Sequence, residues 1–211
     1  MEERVSEIFI RDSDNPLLEP GGHLFGSLKV YNPALIHNGD GWHMFYRAVG
    51  DDWISSLGYA HSDDGTRFKA ESAARVVGPR PGVSIEDPRI SLVDGVYFMT
   101  YTEYDGESVL LSVASSLDLC SWELHGPALF GWDMFRAGGQ LTLSDPVQER
   151  ALRSGNGERW SKAGGIFPAR LSGEYLMLFG DTRIWMARSG DGVSWVADEQ
   201  PFFWAEKWRV L

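Results

Sequence analysis

The chain has 211 residues, a formal net charge of -11 and a pI near 4.8, an acidity that excludes nucleic acid as a partner because phosphate binding needs a basic surface. A single cysteine, Cys120, excludes an internal disulfide and fits a reducing compartment. No run approaches the roughly 18 apolar residues needed to cross a bilayer.

The polar start, Met1-Glu2-Glu3-Arg4, has no apolar run behind it, so a soluble, cytoplasmic protein with no membrane partner is expected. With 24 Gly, 9 Trp, 7 Tyr and 11 Phe, the composition points to many short strands joined by turns.

Three units follow one another. The first opens on a strand with a proline, Asn32-Pro33-Ala34-Leu35-Ile36, and continues into the aromatic strand Gly41-Trp42-His43-Met44-Phe45-Tyr46. It then reaches Ala60-x-Ser62-x-Asp64-x-x-x-Phe68. The second runs from Asp87-Pro88-Arg89-Ile90-Ser91-Leu92 through Gly95-Val96-Tyr97-Phe98-Met99-Thr100 to Ala114-x-Ser116-x-Asp118-x-x-x-Trp122. The third runs from Gly165-Ile166-Phe167-Pro168-Ala169-Arg170-Leu171 through Gly173-Glu174-Tyr175-Leu176-Met177-Leu178 to Ala187-x-Ser189-x-Asp191-x-x-x-Trp195. A short edge strand such as Trp122-Glu123-Leu124 completes each, giving four antiparallel strands per unit.

Such a unit reads as a propeller blade. The fold class is therefore all-β, of β-propeller type, with about three four-stranded blades over residues 28–75, 84–130 and 162–200 of a single domain spanning 1–211. Ser62, Asp64, Ser116, Asp118, Ser189 and Asp191 recur at one place in every blade and are assigned to turn capping. The longer interval before the third Ala-x-Ser element places an insertion at 131–161, where Gln140-Leu141-Thr142-Leu143 could add a strand. Asp145, in a Ser-Asp-Pro turn there, is ordinary turn chemistry.

Closed propellers typically have at least four blades. Either the polypeptide is shortened from a longer fold, the favoured reading, or a homo-oligomer or a second chain covers the open blade edge.

Residues that break the repeat are the candidates for function. Ser84-Ile85-Glu86-Asp87-Pro88-Arg89-Ile90 puts two adjacent carboxylates and an arginine around a proline on the inner strand of the second blade. A residue before proline is biased to extended backbone, which would point Glu86 and Asp87 in opposite directions. Asn32 and Arg47 stand on the inner strands of the first blade, and Tyr46, Tyr101 and Tyr104 belong to a tract of aromatic residues. The histidines His23, His37, His43, His61 and His125 lack metal-ligand spacing. His61, in the variable position of its turn, is expected to be solvent-exposed. No glycine-rich phosphate loop precedes a helix, and neither a metal nor a cofactor is expected.

The segments Asn32-Pro33-Ala34-Leu35, Tyr46-Arg47-Ala48-Val49-Gly50, Gly58-Tyr59-Ala60-x-Ser62, Glu86-Asp87-Pro88-Arg89, Met99-Thr100-Tyr101-Thr102 and Ile166-Phe167-Pro168 together resemble glycoside hydrolase family 130. The resemblance runs from about Asn32 to Trp195. It implies a five-bladed propeller of the β-mannoside phosphorylases and β-mannosidases, here without its last two blades, acting on an oligosaccharide substrate. It makes Asp87 the proton donor. With a sugar as substrate, Asn32 and Arg47 could bind its hydroxyls or an anion and Tyr46, Tyr101 and Tyr104 could stack on its rings, so the candidate substrate-binding positions are Asn32, Arg47, Glu86, Arg89, Tyr101, Lys162 and Asp181. Inorganic phosphate would be a co-substrate if the enzyme is a phosphorylase.

Phosphorolysis needs converging cations, which Arg47, Arg89 and Lys162 could supply in part. The strand after Gly173 ends instead in Phe179-Gly180-Asp181, where the family's phosphorylases carry a His-Arg pair. An added acid suits hydrolysis, in which one carboxyl protonates the leaving group and another activates water, so hydrolysis is favoured. The alternatives are a catalytically silent carbohydrate-binding chain and a propeller acting on arabinans or fructans.

Overall fold

The computed structural model describes residues 13–21, 26–76, 81–129, 131–132, 160–180 and 183–204. Among these there is no α-helix, and the strands form three antiparallel sheets. The first holds β1 (Lys29–His37), β2 (Trp42–Val49), β3 (Ser55–Ser62) and β4 (Lys69–Val76) in that order. The second holds β5 (Ser84–Val93), β6 (Val96–Tyr104), β7 (Val109–Ser116) and β8 (Glu123–Pro127). In the third, β9 (Gly165–Ile166), β10 (Tyr175–Phe179), β11 (Arg183–Ser189) and β12 (Val196–Ala197) repeat the order, and β13 (Phe203–Trp204) also pairs with β11.

The sheets stack face to face with their first strands side by side. β5 packs against β1, and β9 packs against β5, a propeller-like arrangement. The period of two along a strand explains how a middle sheet serves both neighbours. On β6, Met99 and Tyr101 point into a core shared with Phe45, Leu57 and Tyr59 of the first sheet. Phe98 points the other way, into a core shared with Ile166, Met177, Phe179 and Trp185 of the third. Each such large side chain, fully buried, contributes about 1.5–3 kcal/mol.

The Ser-x-Asp elements cap their turns as their spacing implies. Each serine hydroxyl donates to its aspartate, at 3.0 Å for Ser62–Asp64, 3.0 Å for Ser116–Asp118 and 2.9 Å for Ser189–Asp191. Each serine also accepts from a backbone N–H three residues on, at Gly65, Leu119 and Gly192, all with positive φ. Each aspartate accepts two further N–H groups, which lower its carboxyl pKa from the ordinary value. Trp122 and Trp195 close the turns by donating to Leu119 and Gly192 carbonyls.

Two expectations change. His61 is half-buried, not solvent-exposed, because its ring packs edge-on against buried His43 at 5.2 Å and crowds Gly41. The proline of Phe167-Pro168 is not the counterpart of Pro33 and Pro88. Ala60, Ala114 and Ala187 pair with Met44, Met99 and Met177, which pair in turn with Leu35, Ile90 and Ile166. Counting back along the inner strands aligns Asn32, Asp87 and Ala163.

Candidate active site

Those three aligned residues share one backbone state. Asn32, Asp87 and Ala163 have φ of 50, 51 and 55°, in the left-handed region that few non-glycine residues adopt. In β1 and β5 the pairing register slips at the same place, between Tyr31 and Ala34 and between Glu86 and Arg89. Each slip is a β-bulge holding Asn32-Pro33 or Asp87-Pro88. A bulge tolerates proline, which has no N–H for the ladder, and Asn and Asp are the side chains best suited to positive φ.

The bulge overrides the extended geometry expected before proline. As a result Glu86 and Asp87 do not diverge; both reach the same arginine. Arg47 Nη2 donates to Glu86 Oε1 at 2.6 Å, and Nη1 donates to Asp87 Oδ1 at 3.3 Å. The third nitrogen, Nε, donates to Ser55 Oγ at 2.9 Å, and the guanidinium lies 4.9 Å from the centre of the Tyr31 ring. Ser55 Oγ in turn donates to Glu86 Oε1 at 3.3 Å, while its backbone N–H donates to Ser84 Oγ at 3.0 Å. Asn32 donates its side-chain amide to Asp87 Oδ1. Asp87 Oδ2 and Glu86 Oε2 have no hydrogen-bond partner among the described residues.

The side chains of Arg47 and Glu86 are 19% and 17% exposed, and that of Asp87 29%. In such a half-buried setting charge-assisted bonds are stronger than at an open surface. Burial pushes the Glu86 carboxyl up, Asp87 adds to the rise, and Arg47, Ser55 and Lys162 oppose it. Tyr31 is pushed up as well, first by burial.

Of the positions singled out in the sequence, Asn32, Arg47, Glu86 and Asp87 therefore meet in one network across the first two sheets. Lys162 takes the place in the third sheet that Glu86 holds in the second, immediately before the left-handed residue. It is close enough to act on the Glu86 carboxyl, and its ammonium sits 5.0 Å from the centre of the Trp160 ring. Arg89 is exposed and donates to its own neighbour's carbonyl, Pro88 O, at 2.8 Å. Tyr101 is only 1% exposed and packs with Met99 in the core, so its ring is not presented for stacking. Asp181 lies outside the described residues, as does most of the 131–161 insertion.

Sequence reasoning missed Tyr31 and Ser55. The signal for Tyr31 was its place before Asn32, the counterpart of Glu86 before Asp87. Ser55 has a weaker one, as a polar residue opening β3 at the end of the hairpin that carries Arg47. No group of three or more His, Cys, Asp or Glu among the described residues is arranged to hold a metal ion.

The family model of glycoside hydrolase family 130, described as beta-1,4-mannooligosaccharide phosphorylase, matches residues 1–211. A beta-1,2-mannobiose phosphorylase of Thermoanaerobacter sp. (strain X514) is 31% identical over 163 residues, covering 68% of this chain and 49% of that protein. A 1,2-beta-oligomannan phosphorylase of the same organism is 29% identical over 213 residues, covering 90% and 60%. A solved structure from work on family 130 glycoside hydrolases that target beta-1,2 mannosidic linkages in Candida mannan is similar with a TM-score of 0.68. It shares 27% identity and covers 89% of this chain and 57% of its own. The chain spans about half the length of the curated relatives it matches. It belongs to glycoside hydrolase family 130.

Proposed function

We propose that the protein cleaves β-mannosides, with β-1,2-linked manno-oligosaccharides as the substrate class and Asp87 as the general acid. The observation that carries this reading is the Glu86–Arg47–Asp87–Asn32 network. It holds Asp87 by one oxygen, Oδ1, and leaves Oδ2 open on a side chain still partly accessible to solvent. A general acid needs such an oxygen to hand its proton to the glycosidic oxygen as the C1–O bond breaks. The three sheets would be three blades of a five-bladed propeller, with the cleft at their inner strands.

Hydrolysis is favoured over phosphorolysis. A phosphate site requires cations free to meet the anion, yet Arg47 is already engaged by two carboxylates, and Arg89 turns back on Pro88. Lys162 remains as a sugar-binding position, and Asn32, the other sequence candidate for sugar binding, acts instead by holding Asp87 Oδ1. The water that attacks C1 would give its proton to a second carboxylate, a role for which Asp181 is the sequence-based candidate.

The test is product analysis with β-1,2-mannobiose, with and without inorganic phosphate. Release of mannose that does not depend on phosphate is the expected result. Mannose 1-phosphate formed only with phosphate would overturn the hydrolytic assignment and keep the β-mannoside one. An absence of any product from the intact protein, with gluco- and galacto-configured disaccharides cleaved, would overturn both.

A further inference from the structure

Trp53, at the tip of the β2–β3 hairpin, combines two features that a turn residue has no need of. The residue is 67% exposed, and its φ is 59°, in the left-handed region. For a bulky side chain that backbone state is an outlier, and glycine or asparagine would build the same turn with less strain. The turn is nonetheless pinned. Trp53 N–H donates to Gly50 O at 3.0 Å, Asp52 Oδ1 accepts from Ile54 N–H at 3.1 Å, and Ser27 Oγ donates to Asp51 Oδ1 at 2.8 Å. Lys29 Nζ lies 5.1 Å from the ring centre, steadying the indole without covering it.

The place of this indole gives it a use. Trp53 stands two residues before Ser55, whose hydroxyl bonds both Arg47 and Glu86, so its backbone is within about 7 Å of that of Ser55 along the chain. A rigid aromatic face at the rim of a polar cleft suits the C–H face of a pyranose ring, which stacks while its hydroxyls stay in water. Resting on the β-mannoside reading above, we propose that Trp53 is an outer sugar platform. It stacks on a mannosyl unit beyond the disaccharide whose linkage lies at Asp87, and so sets a preference for longer oligosaccharides.

The experiment is calorimetry of the intact protein with β-1,2-mannobiose and β-1,2-mannotriose, for the wild type, Trp53→Ala and Trp53→Phe, with thermal melts alongside. The ratio of trisaccharide to disaccharide affinity should fall about tenfold in Trp53→Ala and be largely kept in Trp53→Phe. The melting temperature should not fall in Trp53→Ala. Equal losses for both sugars with a lower melting temperature would make Trp53 structural, and an unchanged ratio would remove the platform; either overturns this proposal while leaving the β-mannoside reading intact. A wild type that binds neither sugar overturns both together.

Discussion

Asn32 and Asp87 occupy the same bulge in two successive inner strands, and the amide of one donates to the carboxylate of the other. Two copies of one structural device thus bring a carboxylate and its hydrogen-bond donor together. If Asp87 is the proton donor, Asp87→Asn should lower kcat by a factor of about 10²–10⁴ while sugar binding persists. Asn32→Ala should lower kcat roughly tenfold with little change in KM, and should cost nothing further in the Asp87→Asn background. Sugar affinity measured by calorimetry decides the matter. If Asn32→Ala weakens binding equally in both backgrounds, Asn32 contacts the sugar itself and does not act through Asp87.

Arg47 is bound through all three nitrogens to three different side chains, an arrangement that lysine cannot reproduce. Arg47→Ala leaves two neighbouring carboxylates half-buried without their cation. It should destabilise the fold by about 1–3 kcal/mol, a figure reduced from that of fully buried pairs because water still reaches the site. Arg47→Lys should recover less than half of the loss. Chemical denaturation at pH 7 measures both, and a full recovery by lysine would show that charge alone matters there.

Glu86 makes stability depend on pH in a direction that can be stated. Burial raises its pKa above the ordinary 4.5, so the folded chain holds this proton at pH values where the unfolded chain has lost it. Its contribution is fully present below the unfolded pKa and is lost as pH rises through the folded one. His43 acts in the opposite sense below its ordinary 6.5, because burial lowers its pKa. The difference in melting temperature between Glu86→Gln and wild type isolates the carboxyl. That difference should be larger at pH 7.5 than at pH 5, in favour of Glu86→Gln. A difference that stays flat or shrinks with rising pH contradicts the assignment.

The scaffold was readable where its signal is local and repeated. Ser189, Asp191 and Trp195 form a turn whose bonds all close within seven residues, so spacing alone defines it. The site was readable as composition but not as geometry. Proline's local preference predicted that Glu86 and Asp87 would diverge, and the β-bulge, a property of strand pairing, overruled it. Ala163 was invisible for the same reason: its equivalence to Asp87 rests on register, and no proline marks it. Tyr101 looked like a sugar-stacking ring, yet alternation along β6 sends it into the core beside Met99.

Ser189→Ala tests the scaffold assignment. Its buried hydroxyl bonds the Asp191 carboxylate and the N–H of Gly192, so its removal should cost about 1–2 kcal/mol. KM for a manno-oligosaccharide should not change. A raised KM at unchanged melting temperature would point to a role for this turn in binding instead.

Gly180 links the third sheet's fold to Lys162, just ahead of β9. Its φ is 116°, a state that side chains with a Cβ rarely adopt, and an added Cβ would collide with the backbone carbonyl oxygen of Arg183. Backbone cannot yield as a flexible side chain would, so Gly180→Ala should cost about 2–4 kcal/mol. The damage should also reach the site, because Gly180 N–H donates at 2.8 Å to the carbonyl of Lys162 and fixes the segment that presents it. Melting temperature and sugar affinity should therefore fall together in Gly180→Ala. Lys162→Met should lower affinity while leaving the Gly180–Lys162 backbone bond in place. A Lys162→Met variant that binds manno-oligosaccharides like wild type would remove Lys162 from the cleft and confine Gly180 to a structural part.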